Sequence, residues 1–168
     1  EEYASPRPGV WIHKTAVLAP TAFVGETVII GPGAEVRHGA FIRGNALVGE
    51  GAVVGNSTEL KNVILFDGVQ TPHYNYVGDS ILGYKSHMGA GSITSNVKSD
   101  KTLVVIHDQM APVETGRKKV GAFLGDHVEV GCNSVLNPGT VIGPHSNVYP
   151  TSSVRGTIPP YHIYKSQP

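Results

Sequence analysis

The chain is short of cysteine, of charge and of long apolar runs, and each shortage closes off a class of protein. Of its 168 residues one is cysteine, Cys132. No disulfide can form within the chain, so a reducing compartment, read here as the cytoplasm, is the default. No apolar stretch approaches the ~20 residues of a membrane-spanning helix, and no secretory leader is recognisable. Charged residues make up 15% of the chain, 13 basic against 13 acidic. That balance argues against non-specific binding to nucleic acid or membranes as the main activity. The length suits one domain with a sizeable core. The chain opens at Glu1 rather than Met, which leaves open a preceding domain.

What the chain does have is glycine and proline, 21 and 12 residues, the composition of a backbone that turns often and packs closely on itself. It also has a repeat. Ile12, Leu18, Val24, Ile30, Val36, Ile42, Val48, Val54 and Leu60 follow one another at intervals of six. Four residues after each comes a mostly small residue, such as Ala16, Ala22, Ala34, Ala40, Ala46, Ala52 and Thr58, and Gly25, Gly31, Gly49 and Gly55 follow the aliphatic directly. The frame slips by one residue to Leu65, Thr71 and Val77. It slips again to Leu82, Met88 and Thr94, the phase that returns from Leu124 to Val154.

Neither the 3.6-residue period of a helix nor the two-residue period of a plain strand gives six. Short strands with a turn every six residues do. Three of them make a triangular coil of ~18 residues, stacked ~4.8 Å from the next. The expected fold is therefore all-β, a parallel β-helix of hexapeptide repeats. Left-handed coiling follows from similarity to known hexapeptide-repeat proteins, whereas the period alone also admits a right-handed β-helix. The expected layout of 1–168 is a single domain. Repeats run over about 12–96 and 124–156, a loop is inserted at about 97–120, and a proline-bearing tail at 157–168 caps the open end.

Candidate chemistry sits where the repeat breaks its own rule. Arg37, Arg43 and Lys61 stand where glycine is usual. Arg43 and Lys61 are 18 residues apart, so they are expected on one corner of adjacent coils, where an anion would relieve their repulsion. Counting coils puts Tyr76 at the same corner, His73 one short strand earlier and pointing outward, and Asn96 one coil further on. An outward histidine can be plain surface, a metal ligand or a general base, since imidazoles titrate near neutral pH. His73 and His87 have no third histidine nearby, so no metal is expected. Cys132 reads as a packing residue.

The segment VGNSTELKNVILFDGVQTPHYNYVGDSILGYKSHMGAGSITSN, from Val54 to Asn96, resembles the acetyltransferase domain of bacterial N-acetylglucosamine-1-phosphate uridyltransferases. ETGRKKVGAFLGDHVEVGCNSVLNPGTVIG resembles the C-terminal domain of archaeal sugar-1-phosphate nucleotidylyltransferases. The specific matches are Asn56–Lys61, His73-x-x-Tyr76-x-Gly78-Asp79 and Gly89-Ala90-Gly91-x-x-Thr94-x-Asn96. The resemblance implies a homotrimer with sites between subunits, and acetyl-CoA as co-substrate. It implies His73 as general base, and Arg43, Lys61, Tyr76, His87, Asn96 and Lys101 toward a phosphorylated amino sugar or nucleotide sugar. Ala90, Cys132 and Pro150 match acetyl-CoA contacts. Three departures stand out: His87 occupies the place of an Asn, Val97 that of a Tyr, and Lys101 matches a loop lysine only approximately. No GxGTR-type nucleotide loop is present. The expected activity is acetyl transfer to the amine of a glucosamine-1-phosphate-like sugar. The alternative is a non-catalytic sugar-phosphate-binding or trimerising module.

Overall fold

The computed structural model describes residues 2–165. Its parallel strands wind into a left-handed β-helix of about nine turns, with no helix among the described residues. The reason lies in the repeat. Each aliphatic points inward, so that Ile42, Leu60 and Val77 are fully buried one above another, and Ile30, Val48, Leu65 and Leu82 form a second such column. The small residue beside it lets the backbone turn. In the early coils it is Ala. In the later coils it is usually Ser; Ser92 and Ser152 bond back to the carbonyl three residues earlier, Gly89 at 2.6 Å and Tyr149 at 2.7 Å, while Ser134 and Ser146 bond to carbonyls of the following coil.

Two faces are built from long bent strands, Phe23–Ile30, Phe41–Val48, Glu59–Leu65 and Tyr76–Leu82, paired in parallel in that order. The third face stacks short strands from Val17–Leu18 to Ile163–Tyr164. The coils meet closely: a Cβ at Gly55 would collide with the Pro72 carbonyl. At the start, Tyr3–Arg7 runs antiparallel to Val10–His13.

Three corners result. The first carries Thr27, Asn45, Asn62 and Asp79, all at φ between 50° and 57°. Asn and Asp tolerate this left-handed conformation. The second carries Gly33, Gly51, Gly68, Lys85, His127, His145 and Tyr161, again with positive φ. Here the His127 and His145 rings stack at 4.9 Å, and His145 stacks on Tyr161 at the same spacing. The third carries Gly39, Ser57, Tyr74, Gly91, Asn133 and Thr151.

Both slips in the repeat fall on the first corner. Ile42 pairs with Leu60, but Lys61 pairs with Gly44, so Arg43 is bulged out of register. Arg43 and Lys61 therefore share a corner without being stacked, which corrects the coil count: the corner is one residue shorter at Lys61-Asn62 than at Arg43-Gly44-Asn45. The inserted segment leaves from the same corner. It forms a small hairpin, Val105–Ile106 against Val113–Glu114, closed at its base by an antiparallel bridge between Val97 and Lys119. Val104 is buried against the coils, and the Thr157 hydroxyl donates to the His107 carbonyl at 2.7 Å.

From Thr157 the chain does not become the expected cap. Thr157–Ile158 and Ile163–Tyr164 continue the coils in parallel register. Pro160 sits in the turn between them, followed by Tyr161 at φ 56°. That is a place proline favours, because its fixed φ suits the first central position of a turn. Residues 166–168 of the tail lie outside the described residues.

The two sides of one strand are expected to respond differently to truncation. Leu60→Ala should cost about 2–5 kcal/mol, as for other large-to-small changes in a packed core. Ile64→Ala, on the outward side of the same strand, should cost less than about 1 kcal/mol in the isolated chain. Urea unfolding of the two variants checks the difference.

Candidate functional site

The sequence-predicted residues separate into two groups, one on each side of a short face. At the first corner Asp79 organises a polar ladder. Its Oδ1 accepts from Asn62 Nδ2 at 2.9 Å. Its Oδ2 accepts from Asn96 Nδ2 at 2.5 Å and lies 3.4 Å from Lys61 Nζ. Asn45 extends the ladder by donating to Asn62 Oδ1 at 2.9 Å. Asn96 Nδ2 also reaches the Tyr76 hydroxyl at 3.2 Å. Thus Lys61, Tyr76 and Asn96 are brought together, and Asp79 is what joins them.

The electrostatics follow from this packing. Burial alone would raise the Asp79 carboxyl. The hydrogen bonds from Asn62 and Asn96, with the Lys61 charge, outweigh it and hold the group below its ordinary value. Burial pushes the Tyr76 phenol above its ordinary value, against the opposing pull of the Asn96 hydrogen bond, so the phenol is protonated at neutral pH. Arg43 lies apart from this ladder, 3.3 Å from Glu59 Oε1. Each of the two cations expected to share an anion therefore has its own carboxylate.

His73 stands at the third corner. Its imidazole is exposed and makes no hydrogen bond among the described residues. Its backbone is held firmly. The His73 N–H donates to Asn75 Oδ1 at 3.1 Å, and Asn75 Nδ2 donates to the carbonyls of Gly89 and Ser92 in the next coil at 2.9 and 3.0 Å. Asn75 is almost fully buried. Its signal in the sequence is a carboxamide in the small-residue slot that elsewhere holds Ala, Ser or Thr.

Above His73 the same corner rises through a ladder of turns. Gly91 N–H donates to His73 O at 3.0 Å, Asn133 N–H to Ala90 O at 2.9 Å, and Thr151 N–H to Cys132 O at 2.8 Å. Ala90, Cys132 and Pro150 are thus stacked in one column over His73, although they lie far apart in sequence. One face separates this column from Lys61 and Asn96. It is two to three strand residues wide, on the order of 10 Å. Tyr76, which begins that face in the His73 coil, reaches across it with its hydroxyl. His87 points from the third face, where its Nδ1 lies 2.8 Å from Glu129 Oε2. Lys101 is exposed on the inserted segment. No group of three or more potential metal ligands occurs among the described residues.

A family model described as the GMPPB C-terminal domain matches residues 24–158. The chain belongs to this family. Among curated proteins it is similar to a bifunctional sugar-1-phosphate nucleotidylyltransferase/acetyltransferase of Sulfurisphaera tokodaii. The two are 36% identical over 98 residues, 58% of this chain and 24% of that protein. The bifunctional protein GlmU of Methanococcus maripaludis is 40% identical over 91 residues, 54% of this chain and 22% of the relative. The chain thus spans about a quarter of the length of these relatives. Among solved structures, a hexapeptide transferase family protein from Anaplasma phagocytophilum superimposes with a TM-score of 0.64 at 21% identity, covering 83% of this chain and 74% of that one. AntD, an N-acyltransferase from Bacillus cereus, gives 0.51 at 18% identity, over 95% and 77% of the two chains. At these identities the structural likeness concerns the fold, which is that of the hexapeptide transferases.

The Asp79 ladder predicts a defined acid response. A carboxyl held below its unfolded value of about 3.9 stabilises the fold above that pH, and the contribution is lost as pH falls through the folded value. Asp79→Asn should therefore cost about 1–2 kcal/mol at pH 7 and show a shallower loss of stability between pH 5 and pH 3 than the parent. Denaturation measured across that pH range checks it.

Proposed function

We propose that the chain is the acyl-transferring part of a sugar-modifying enzyme, moving an acetyl group from acetyl-CoA to the amine of a glucosamine-1-phosphate-like amino-sugar phosphate. The observation that carries this reading is the His73 column. An exposed imidazole, free of hydrogen bonds but fixed at its backbone, stands beneath the turns of Ala90, Cys132 and Pro150, the three positions that resemble acetyl-CoA contacts. The similarity to bifunctional nucleotidylyltransferase/acetyltransferases supports the same chemistry.

In this mechanism the sugar amine reacts in its neutral form, its ammonium proton having gone to solvent, and His73 takes a proton from the nitrogen as it attacks. The amine nitrogen bonds to the thioester carbonyl carbon, and the carbonyl electrons move to oxygen. As the tetrahedral intermediate collapses, the C–S bond breaks and the thiolate leaves, taking the proton back from the imidazolium. Asn96 commits its N–H donors to Asp79 and Tyr76, so backbone N–H groups carry the oxyanion. Lys61 and Tyr76 face the sugar side. With its single cysteine and balanced charge we place the chain in the cytoplasm.

We further propose a homotrimer with its sites between subunits. Trp11, Ile29, Leu47, Ile64, Ile81 and Phe123 occupy successive outward rungs of one face, and the first five are 37–48% exposed. An apolar strip of this length on a flat face favours self-association.

A second reading, a non-catalytic sugar-phosphate-binding or trimerising module, is favoured by one observation. Arg43, Lys61 and His87 are each paired with a carboxylate, Glu59, Asp79 and Glu129.

Thiol release from acetyl-CoA in the presence of glucosamine-1-phosphate separates the two. His73→Ala should lower turnover by about 10²–10⁴-fold and leave the melting temperature unchanged. No turnover with any amino-sugar phosphate, or equal turnover in the variant, removes the catalytic reading. Independently, Leu47→Asp with Ile81→Asp should convert the assembly to monomers in sedimentation analysis. An unchanged mass would show that this face is not the contact.

A further inference from the structure

Between the inserted hairpin and the last coils lies a recess of about 450 Å³, lined by Lys98, Val105, His107, Asn137, Pro138 and Arg155, with the glycines 139 and 156. It is built into the fold. Val104 is fully buried beneath the hairpin. A Cβ at Gly139 would come within 3.0 Å of Val104 Cγ1 and 3.2 Å of the Val105 carbonyl, so glycine there is what lets the hairpin sit down on the corner. The bridge from Val97 to Lys119 closes one side, and the Thr157 hydrogen bond to the His107 carbonyl closes the other.

The charge of this recess is one-sided. Its lining holds a guanidinium, an ammonium and an imidazole, and no carboxylate. Lys98 has a weak exposed partner, with Nζ 3.7 Å from Asp100 Oδ2, and such pairs contribute little in solvent. Arg155 forms no ion pair among the described residues. On an earlier coil of the same corner, by contrast, Lys61 lies against Asp79 in a largely buried pair. An unpaired guanidinium in a concave site, beside a lysine held only by Thr102 and a weak exposed carboxylate, suits an anion, and guanidinium suits phosphate oxygens in particular. The volume falls in the range of small-molecule sites.

We infer that this recess binds the phosphate group of a small phosphate ester, with Arg155 and Lys98 on its oxygens and His107 and Asn137 beside them. The apolar Val105 and Pro138 take the uncharged part of the ligand. The inference stands on the recess alone and does not require His73 to be a catalyst. Two sources share the chemistry, a sugar phosphate and the ribose phosphate of a nucleotide.

The test is calorimetric titration of the full chain with glucosamine-1-phosphate, with adenosine 3′,5′-bisphosphate and with inorganic phosphate. At least one ester should bind in the millimolar range or tighter, more tightly than inorganic phosphate, and the tighter of the two esters identifies the source. Arg155→Ala should weaken that binding at least tenfold, Arg155→Lys less, and Lys98→Gln severalfold. Raising salt to 0.5 M should weaken it in parent and Arg155→Lys alike. Lys98 lies on the inserted segment, so its variant keeps the test sound should Arg155→Ala fail to fold. No binding of either ester at 10 mM, or unchanged affinity in the Lys98 and Arg155 variants, overturns the assignment. Because the readout is binding, an inactive acetyl-transfer assay leaves this result untouched and bears on the other proposal alone.

Discussion

Every coil of this molecule must hydrogen-bond to the coils above and below it, and that single requirement shapes the rest. A strand paired on both sides cannot gain or lose a residue without breaking two ladders. Changes in length are therefore driven to the turns. The first corner absorbs them: the residue missing at Lys61-Asn62, the equally short turn at Gly78-Asp79, the whole insertion from Val97 to Val120, and the shortened turn at Arg155-Gly156. The same corner consequently holds the densest polar chemistry. An irregular turn leaves backbone and side-chain groups to be satisfied locally, and the Asn45, Asn62, Asp79 and Asn96 ladder does so.

The fold was legible in the sequence because burial in a β-helix is strictly periodic. Ile42, Leu60 and Val77 announce the interior by spacing alone. The slips at residues 60–65 and 77–82 were visible as changes of phase, but their place was not. Period counting cannot tell a shortened turn from a shortened strand, and so Arg43 and Lys61 were expected to stack. The tail at Thr157 misled for a different reason. Pro159 and Pro160 are poor strand residues, yet the repeat has turns that accept proline, and Pro32, Pro144 and Pro150 already occupied such turns.

The candidate site was legible in part. His73 stood out by its outward place in the repeat, Ala90, Cys132 and Pro150 by resemblance, and the coil geometry puts the four in one column. Asp79 and Asn75 were quoted within motifs but given no role, since neither stands where a ligand would be expected. One organises side chains and the other fixes a turn, and both tasks depend on contacts between coils rather than on local spacing. The Arg155 and Lys98 recess had no signature at all. Its lining comes from segments separated by the hairpin, and only the folding back of that hairpin brings them together.

A stack of parallel strands is in principle open to growth by one more strand at either end, which is how solenoids and fibrils extend. At its beginning this one is blunted. Tyr3–Arg7 runs backwards along the first coil on one face, so the outermost rung has the wrong direction for a further parallel coil. Pro6 and the adjoining Pro8 lack N–H donors there. A reversed strand bearing proline is a poor template for a neighbouring molecule, and the regularity that makes the helix easy to build is kept from running on between chains.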